Sequence, residues 1–237
     1  MITVSIVSHG QAWLVERLLA DLAALGRSDL RVVVTLNIPE DAPATAGLDV
    51  RWIRNATRLG FGANHNQALR DSTDEFLCIL NPDVRITSDP FPALLAAFAS
   101  PQAGLAAPRV TTSSGSVENS ARRFPTFLSL AAKALKLNAA LDYPDGDATL
   151  SPDWVAGMFM LAKRAAFEAV RGFDERYFMY YEDVDLCRRL RRAGFDVRLV
   201  QSARIVHDAQ RASHRDLRYL RWHLASVARF LASGRRP

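Results

Sequence analysis

Short apolar runs alternate with amphipathic stretches along the first half of the chain. Runs of β-branched or wholly apolar residues predict strands, and apolar residues spaced by three and four predict helices. Because strands that alternate with helices form a mostly parallel sheet, the pattern predicts an α/β fold. The predicted strands are 3–7, 31–36, 50–53, 76–80 and 105–110, and the predicted helices are 13–25, 64–70 and 90–99.

Polar residues follow three of the predicted strands. Ser8 and His9 follow the first strand, Asn37 follows the second, and the turn 81–83 follows the fourth. Ligands of parallel α/β sheets collect at the carboxyl ends of the strands. The three strand ends therefore predict one shared binding site.

The second half of the chain has a less regular pattern. It predicts a helix over 127–141, with Lys133 and Lys136 on the polar side, and a hinge or lid over 142–153. From Ser213 onward an apolar stripe runs along a helix that also carries several arginines. Packing of this helix on the core is the favoured interpretation, and contact with an anionic membrane surface is the second.

The composition adds little to the prediction of the fold, but it narrows the classes of binding partner. The chain has 237 residues, 49% of them hydrophobic, and a formal net charge of +5, which favours an anionic partner. Nucleic acid is not favoured, because no patch interleaves aromatic and basic residues. We expect no signal peptide and no transmembrane helix, since no window offers roughly 18 apolar residues. Cys78 and Cys187 have no metal-binding or disulfide spacing, which favours a reducing cytoplasm.

Two glycines and two asparagines open the second predicted helix. Gly60, Gly62, Asn64 and Asn66 stand where backbone amides and the helix dipole can receive a phosphate group. A plain helix start remains an equally good interpretation. The third glycine of a dinucleotide fingerprint is missing, which counts against a nicotinamide-dependent oxidoreductase.

Asn81-Pro82-Asp83 follows a buried strand, and oxygen ligands at a rigid strand end suit a hard divalent cation. An ordinary strand-terminating turn is the alternative, because all three are turn residues. His207 would add a nitrogen ligand, although a single histidine at a strand end is more often structural.

An acidic cluster follows an aromatic run near residue 180. Glu182, Asp183 and Asp185 come directly after four aromatic side chains and before a basic helical stretch. Burial raises the pKa of a carboxyl group and opposite charges lower it, so such a cluster suits a proton acceptor or a metal ligand. A helix start rich in acids, with Asp185 paired to Arg189 one turn on, is the open alternative.

The order of these segments resembles that of the family 2 glycosyltransferases. The likeness is closest to the bacterial rhamnosyltransferase-like branch that builds cell-surface polysaccharides. It extends from residue 3 to about residue 213 and is most specific over 172–197. The matching segments are Ser8-His9, the glycine-asparagine helix start, LNPDV at 80–84, WVAG at 154–157, GFDERYFMYYEDVDLCRRLRRAGFDV at 172–197, and His207.

The resemblance implies a GT-A fold in a single domain. In this fold a mostly parallel, Rossmann-like nucleotide-binding sheet continues into a smaller acceptor-binding region and a C-terminal helix. The corresponding parts are a nucleotide-sugar-binding half at 1–110, an acceptor and catalytic half at 111–212, and a basic amphipathic helix at 213–237.

The resemblance also implies a metal site and a catalytic base. In the family, an acidic motif after the fourth main strand holds Mg²⁺ or Mn²⁺ on the donor diphosphate. Asp83 matches the last position of that motif, Asn81 replaces its first acid, and His207 matches a downstream histidine that completes the metal shell. Asp183 matches the general base, with Glu182 orienting the acceptor or supporting the base.

Donor and acceptor residues follow from the same resemblance. Trp154 and Gly157 match a position near the acceptor and diphosphate, where Trp154 would stack on a sugar or serve as a core tryptophan. Family members commonly carry an Asp-Asn pair at the end of the second strand to hold the nucleotide base and ribose, whereas this chain has VVVTLNIPED there. Arg58 replaces an asparagine that is usual at the start of the glycine segment. The expected donor-binding residues are Ser8, His9, Asn37, Arg58, Gly60, Asn66, Asn81 and Asp83.

The function implied is inverting, metal-dependent transfer of a sugar from a nucleotide diphosphate donor to a saccharide or lipid-linked acceptor. The expected donor is dTDP-L-rhamnose. The expected location is the cytoplasm, with contact to the inner face of the membrane through the C-terminal helix. A catalytically silent GT-A domain that acts as a scaffold in polysaccharide assembly is the alternative, motivated by the thin metal motif and the altered second strand.

Overall fold

The computed structural model describes residues 1–126, 141–207 and 217–233. The predicted strands and helices of the first half are confirmed, with shifts of a few residues at their ends. The elements are β1 (Ile2–Ser8), α1 (Ala12–Ala24), β2 (Leu30–Leu36), β3 (Val50–Arg54), α2 (Phe61–Leu69), β4 (Phe76–Leu80), β5 (Val84–Arg85), α3 (Phe91–Ala96) with the 3₁₀ turn Ala97–Ala99, and β6 (Ala103–Thr112).

Among the described residues, the second half adds five strands, three of which have only two residues, and three helices. The elements are β7 (Ala121–Arg122), β8 (Thr149–Leu150), β9 (Trp154–Val155), β10 (Phe159–Lys163), α4 (Arg164–Ala169), α5 (Glu182–Arg192), β11 (Asp196–His207) and α6 (Leu217–Ser233). The helix predicted over 127–141, including Lys133 and Lys136, falls outside the described residues except for residue 141, as do residues 213–216 of the predicted last helix.

One mixed sheet runs through both halves of the chain. Its described strands lie in the order β3-β2-β1-β4-β10-β6-β11-β5, and β8 pairs with β11. The pairs among β1, β2, β3 and β4 are parallel, and so is the pair of β6 with β11. Strand β10 lies between β4 and β6 and is antiparallel to both. Residue 110, the expected boundary between the two halves, therefore lies within β6 and does not interrupt the sheet.

The sheet has an apolar core on each face. Alternate residues of a strand point to opposite faces, and Cys78 and Leu80 belong to one core cluster while Leu77 and Ile79 belong to the other. Helix α1 covers the first face and α5 covers the second. Burial on both faces explains why β4 is apolar at every position.

The segment predicted as a hinge or lid is tied to the sheet. It contains β8, and Gly146 N donates to Gln201 Oε1 at 2.9 Å. Beneath it lies the buried Arg109, whose guanidinium bonds Gln201 Oε1 and Asp145 Oδ1, each at 3.0 Å. Within the described residues, no helix combines the length and apolar character that crossing a membrane requires.

Candidate active site

A cleft of about 180 Å³ opens at the carboxyl ends of β1, β2 and β4. The three polar strand ends meet there, as the sequence pattern predicts. The segment that leads into α5 supplies part of the opposite wall. The lining residues are Val7, His9, Gln11, Asn37, Arg58, Leu59, Phe61, Asn64, Asn81, Pro82, Asp83, Phe178 and Met179.

Asn37 shapes the floor of the cleft through its own hydrogen bonds. Its Oδ1 accepts from Leu59 N and from Asn55 Nδ2, each at 2.9 Å, and its Nδ2 donates to Leu59 O at 2.9 Å. Asn55 Nδ2 also donates to Asn64 Oδ1 at 2.7 Å. The Asn37 amide therefore orients the loop that carries Arg58. Asn55 was not singled out in the sequence, because a lone asparagine after a strand has no distinguishing pattern.

Gly60 allows the opposite wall of the cleft to approach α2. A Cβ atom at Gly60 would lie 2.6 Å from the carbonyl oxygen of Phe178, a distance that a larger residue would not tolerate. Phe61 N donates to that same oxygen at 2.9 Å. Gly60 is the N-cap residue of α2, so the segment is a helix start. The Phe61 amide, which has no partner within the helix, donates to Phe178 O and is therefore not available to a phosphate group.

Besides Gly60, two further expected donor residues, Ser8 and Asn66, do not line the cleft. Asn66 turns away from it: its Nδ2 donates to Phe173 O at 2.9 Å, and its Oδ1 accepts from Phe173 N at 2.9 Å. The asparagine thus pairs with the backbone before the aromatic run. Ser8 is fully buried, and its Oγ accepts from Gln11 N at 3.3 Å, which closes the turn after β1. Both residues support the site from behind its surface.

The surroundings of His9 lower its pKa and favour its uncharged form. Burial lowers the pKa of His9, the positive charge of Arg58 lowers it further, and Glu40 opposes this shift. The cleft therefore keeps the Arg58 charge next to a neutral imidazole, which suits a ligand that carries negative charge.

Asp83 and His207 meet at the end of the cleft, as the resemblance implies. Their Oδ2 and Nε2 atoms are 3.2 Å apart, and His207 Nδ1 lies 3.0 Å from Glu118 Oε2. Burial lowers the pKa of His207, but hydrogen bonds and charge from Asp83 and Glu118 outweigh burial and raise it to about 9. Glu118 lies in a serine-rich turn whose sequence carries no signal for such a role.

The donor atoms here suit a divalent cation. Asp83 Oδ1 is buried and has no hydrogen-bond partner among the described residues, so its lone pairs are available. Glu118 fixes the His207 ring with Nε2 toward Asp83, as carboxylates do for metal-binding histidines. A cation held there would displace the proton that the raised pKa keeps on the His207 ring. In the described ranges, no group of three or more His, Cys, Asp or Glu side chains is arranged to hold a metal ion. Asp83 and His207 would thus need further ligands from the donor.

Asp183 lies at the start of α5 with both carboxylate oxygens held by the backbone. Its Oδ2 accepts from Gly157 N at 3.0 Å, and its Oδ1 accepts from Val184 N at 2.8 Å. Gly157 has little room for a side chain, because a Cβ atom there would lie 3.2 Å from the Phe61 ring and 3.7 Å from Asp183 Cβ. The carboxylate is therefore fixed beside the α2 wall of the cleft.

The acid pair has raised pKa values. Burial and the charge of Asp183 raise the pKa of Glu182 well above the usual range for a glutamate, and Glu182 Oε2 is buried without a described partner. Burial raises the pKa of Asp183, while the Val184 and Gly157 amides and the charge of Arg122 oppose the rise. The pair thus suits a proton held by Glu182 and an ionised Asp183 ready to accept one. Arg122 was not singled out in the sequence.

Trp154 stands beside this pair on β9. Its Nε1 donates to Arg123 O at 2.9 Å, and the Arg122 guanidinium lies 5.5 Å from its ring centroid. The ring is half-buried and also packs against the second core cluster. The ring therefore belongs in part to the core, and its stacking on an acceptor sugar stays a prediction.

Asp185 is structural, as predicted. It is buried, and its carboxylate bonds Arg189 Nε at 2.6 Å and Arg188 Nη2 at 2.9 Å. Arg189 Nη1 also donates to the carbonyl oxygens of Val170 and Gly172. This network ties α5 to the preceding loop and leaves Asp183 as the acid that faces the site.

Solved glycosyltransferases share this architecture. A mannosyltransferase from Pyrobaculum calidifontis, in complex with GDP-Man and Mn²⁺, matches 96% of this chain with a TM-score of 0.66 and 19% identity, and the chain spans 64% of its length. GalNAc-T7, with UDP, GalNAc and Mn²⁺, matches 88% of this chain with a TM-score of 0.67 and 13% identity, over 44% of its length. The fold is therefore that of the GT-A glycosyltransferases.

The family is shown by the sequence. Residues 2–224 match the family described as Glycosyltransferase like family 2, and the chain belongs to that family. N-acetylglucosaminyl-diphospho-decaprenol L-rhamnosyltransferase of Mycobacterium tuberculosis is 32% identical, over 92% of this chain and 79% of its own length. Rhamnosyltransferase WbbL of Escherichia coli is 30% identical, over 99% of this chain and 94% of its own length. The family resemblance inferred from the motifs is confirmed.

Proposed function

We propose that this glycosyltransferase moves L-rhamnose, with inversion at the anomeric carbon, from a nucleoside diphosphate donor to a hydroxyl group of a saccharide or lipid-linked acceptor. The observation that carries the proposal is Asp183, a carboxylate fixed by two backbone amides at the edge of a cleft that holds Arg58 and Asp83. The names of the two relatives support rhamnose as the sugar, and dTDP-L-rhamnose is the donor that we infer.

The reaction is a single displacement. Asp183 accepts the proton of the acceptor hydroxyl while that oxygen forms a bond to the anomeric carbon. The bond from the anomeric carbon to the diphosphate oxygen breaks on the opposite side, and its electron pair leaves with the nucleoside diphosphate. The raised pKa of Asp183 makes it a better proton acceptor than an ordinary surface aspartate.

Neighbouring residues keep Asp183 in the state that the reaction needs. Burial and the charge of Asp183 raise the pKa of Glu182, which favours its neutral form and limits its competition as a second negative charge. The positive charge of Arg122 favours the ionised form of Asp183 before the reaction. Trp154 carries Arg122 over its ring and offers a flat surface on which an acceptor sugar would stack.

The diphosphate end of the cleft is built for negative charge. Arg58 faces it from the loop that Asn37 orients, and Asp83 with His207 would hold Mg²⁺ or Mn²⁺. A bound cation there would neutralise the charge that develops on the leaving diphosphate. The neutral Asn81 makes this site less acidic than a paired-aspartate site, so we infer that the cation is held weakly until donor is present.

The silent-domain alternative is not favoured. A scaffold would have no use for a buried Glu182 next to Asp183, both with raised pKa values, since burying a carboxyl group costs stability. The two relatives are also named as enzymes. Enzymatic sugar transfer therefore explains both the site and the similarity.

Thermal unfolding in the presence of nucleotides tests the proposal. With dTDP at about 100 times its dissociation constant and Mn²⁺ present, we expect Tm to rise by roughly 5–10 °C, because a ligand of the native state stabilises it. NAD⁺ serves as the matched control and is expected to leave Tm unchanged. If neither dTDP nor UDP, GDP or CDP raises Tm with Mn²⁺, the enzyme proposal is wrong.

The outer face of α6 supports a membrane contact. Leu220 is 53% exposed and Leu224 is 59% exposed, and Arg221 and Arg229 are exposed on the same helix. The sequence of α6 contains no acidic residue. An apolar stripe flanked by arginines is complementary to an anionic lipid surface, and we infer that α6 lies on such a surface, where a lipid-linked acceptor would be found.

Vesicle flotation tests this contact. We expect the protein to float with vesicles that contain phosphatidylglycerol but not with pure phosphatidylcholine, and to be released by high salt, because salt screens the arginines. The double substitution Leu220→Asp and Leu224→Asp is expected to abolish flotation without changing dTDP binding. Flotation of the double variant at the wild-type level would exclude α6 as the contact.

A further inference from the structure

The segment before the acid pair has a strained backbone. Tyr180 and Tyr181 are consecutive and both left-handed, with φ of +69° and +67°. Residues with side chains rarely adopt this conformation, so surrounding contacts must hold it. The ring of His223 on α6 packs against both, with centroid distances of 5.4 Å to Tyr180 and 5.7 Å to Tyr181. Helix α6 therefore helps to hold the segment that ends at Asp183.

The same helix holds the part of the segment that lines the cleft. Ser226 Oγ, which is buried, donates to Met179 O at 2.9 Å. The ring of Trp222 lies 4.7 Å from the ring of Phe178. Since Phe178 and Met179 both line the cleft, α6 contacts the donor side of the site through these two residues.

Arg58 joins this contact from the other wall. Its guanidinium lies 5.1 Å from the ring centroid of Trp222 and 5.5 Å from that of Phe178. Its Nε is buried and has no hydrogen-bond partner within the described ranges. Among the described residues, the aromatic faces of Trp222 and Phe178, and not an acidic side chain, hold Arg58.

We propose that Trp222 is a positioning residue that, together with Phe178, holds Arg58 in place for the phosphate groups of a nucleoside diphosphate, so that α6 completes the donor site. This inference rests on the proposed function, because it assigns to Trp222 a part in binding the same donor. It explains why a cationic side chain lies against the rings of Trp222 and Phe178 at the mouth of a cleft.

The physical advantage is preorganisation. A flexible arginine loses rotational freedom when it grips a phosphate, and a side chain already held by aromatic faces has less to lose. Aromatic contacts leave the N–H groups of the guanidinium directed to a ligand, whereas a carboxylate partner would compete with phosphate for them. Trp222 thus contributes to donor affinity without touching the donor.

Calorimetric titration of dTDP with Mn²⁺ tests the inference. We expect Trp222→Ala to weaken dTDP binding roughly tenfold, as loss of a partly desolvated cation–π contact would. Trp222→Phe keeps an aromatic face and is expected to retain most of the affinity. Leu231→Ala is the matched control: Leu231 packs against the cluster of Tyr177, Val184 and Phe230, so we expect its loss to lower Tm without weakening dTDP binding.

A double-mutant cycle separates positioning from general loosening. If Trp222 acts through Arg58, Trp222→Ala adds little to the loss already caused by Arg58→Gln. An equal loss in both backgrounds, or wild-type affinity in Trp222→Ala, would overturn the inference. Failure of the wild-type protein to bind dTDP, UDP, GDP or CDP would instead contradict the proposed function, so the two failures are distinguishable.

Discussion

Asp183→Asn is expected to lower kcat for sugar transfer by about 10²- to 10⁴-fold while the protein stays folded. The substitution removes the proton acceptor but keeps an oxygen that can accept one of the two backbone hydrogen bonds, from Gly157 N or Val184 N. Donor binding is expected to change little, because Asp183 does not line the donor cleft. Initial rates with a radiolabelled donor and calorimetric donor binding measure the two effects separately.

Glu182→Gln is the matched control for this prediction. Glutamine resembles the protonated glutamic acid, so we expect a much smaller loss of kcat than in Asp183→Asn.

Since the pKa of Asp183 is raised, activity is also expected to fall on acidification at a pH above the ordinary aspartate value of about 4. Turnover retained by Asp183→Asn would show that another group accepts the proton.

Asp83→Ala is expected to lower kcat/KM by roughly 10³-fold, because the loss of a carboxylate ligand weakens binding of the cation. A bound cation would stabilise the charge on the leaving diphosphate by several kcal/mol. The loss is expected to appear as well in dTDP binding with Mn²⁺, and to be small when dTDP binding is measured with EDTA. Calorimetry under the two conditions gives the cation-dependent part of the affinity.

Glu118→Gln distinguishes ligation from orientation. Glu118 contacts His207 and not the cleft, so its loss is expected to weaken cation-dependent binding by about 10- to 100-fold, less than the loss of Asp83. If Asp83→Ala binds dTDP with Mn²⁺ as well as the wild-type protein does, Asp83 is not a metal ligand.

The positions of the site residues were predictable where they follow from strand ends. His9, Asn37 and Asp83 each follow an apolar run, and parallel strands place such ends on the same edge of the sheet, where β2, β1 and β4 lie side by side. The role of Asp185 was predictable too, because its spacing to Arg189 is one helical turn. These inferences use only local geometry, which a sequence displays directly.

The missed residues depend on contacts that no local pattern encodes. Glu118 reaches His207 across 89 positions of sequence, and Asn55 reaches Asn37 across 18. Trp222 meets Arg58 only because α6 packs on the segment before the acid pair. Asn66 was misplaced for the same reason, since its partner Phe173 is 107 positions away. Residues that act through distant partners look ordinary in the sequence.

The placement of β10 has a consequence for how the chain comes to be folded during synthesis. A nascent chain that has emerged only as far as β6 lacks the strand that lies between β4 and β6, so each of these strands has an open edge. Unpaired edges of apolar strands invite contact with other chains. The strands of the nucleotide-binding half therefore keep open edges until the second half supplies β10 between β4 and β6 and β11 on the far side of β6.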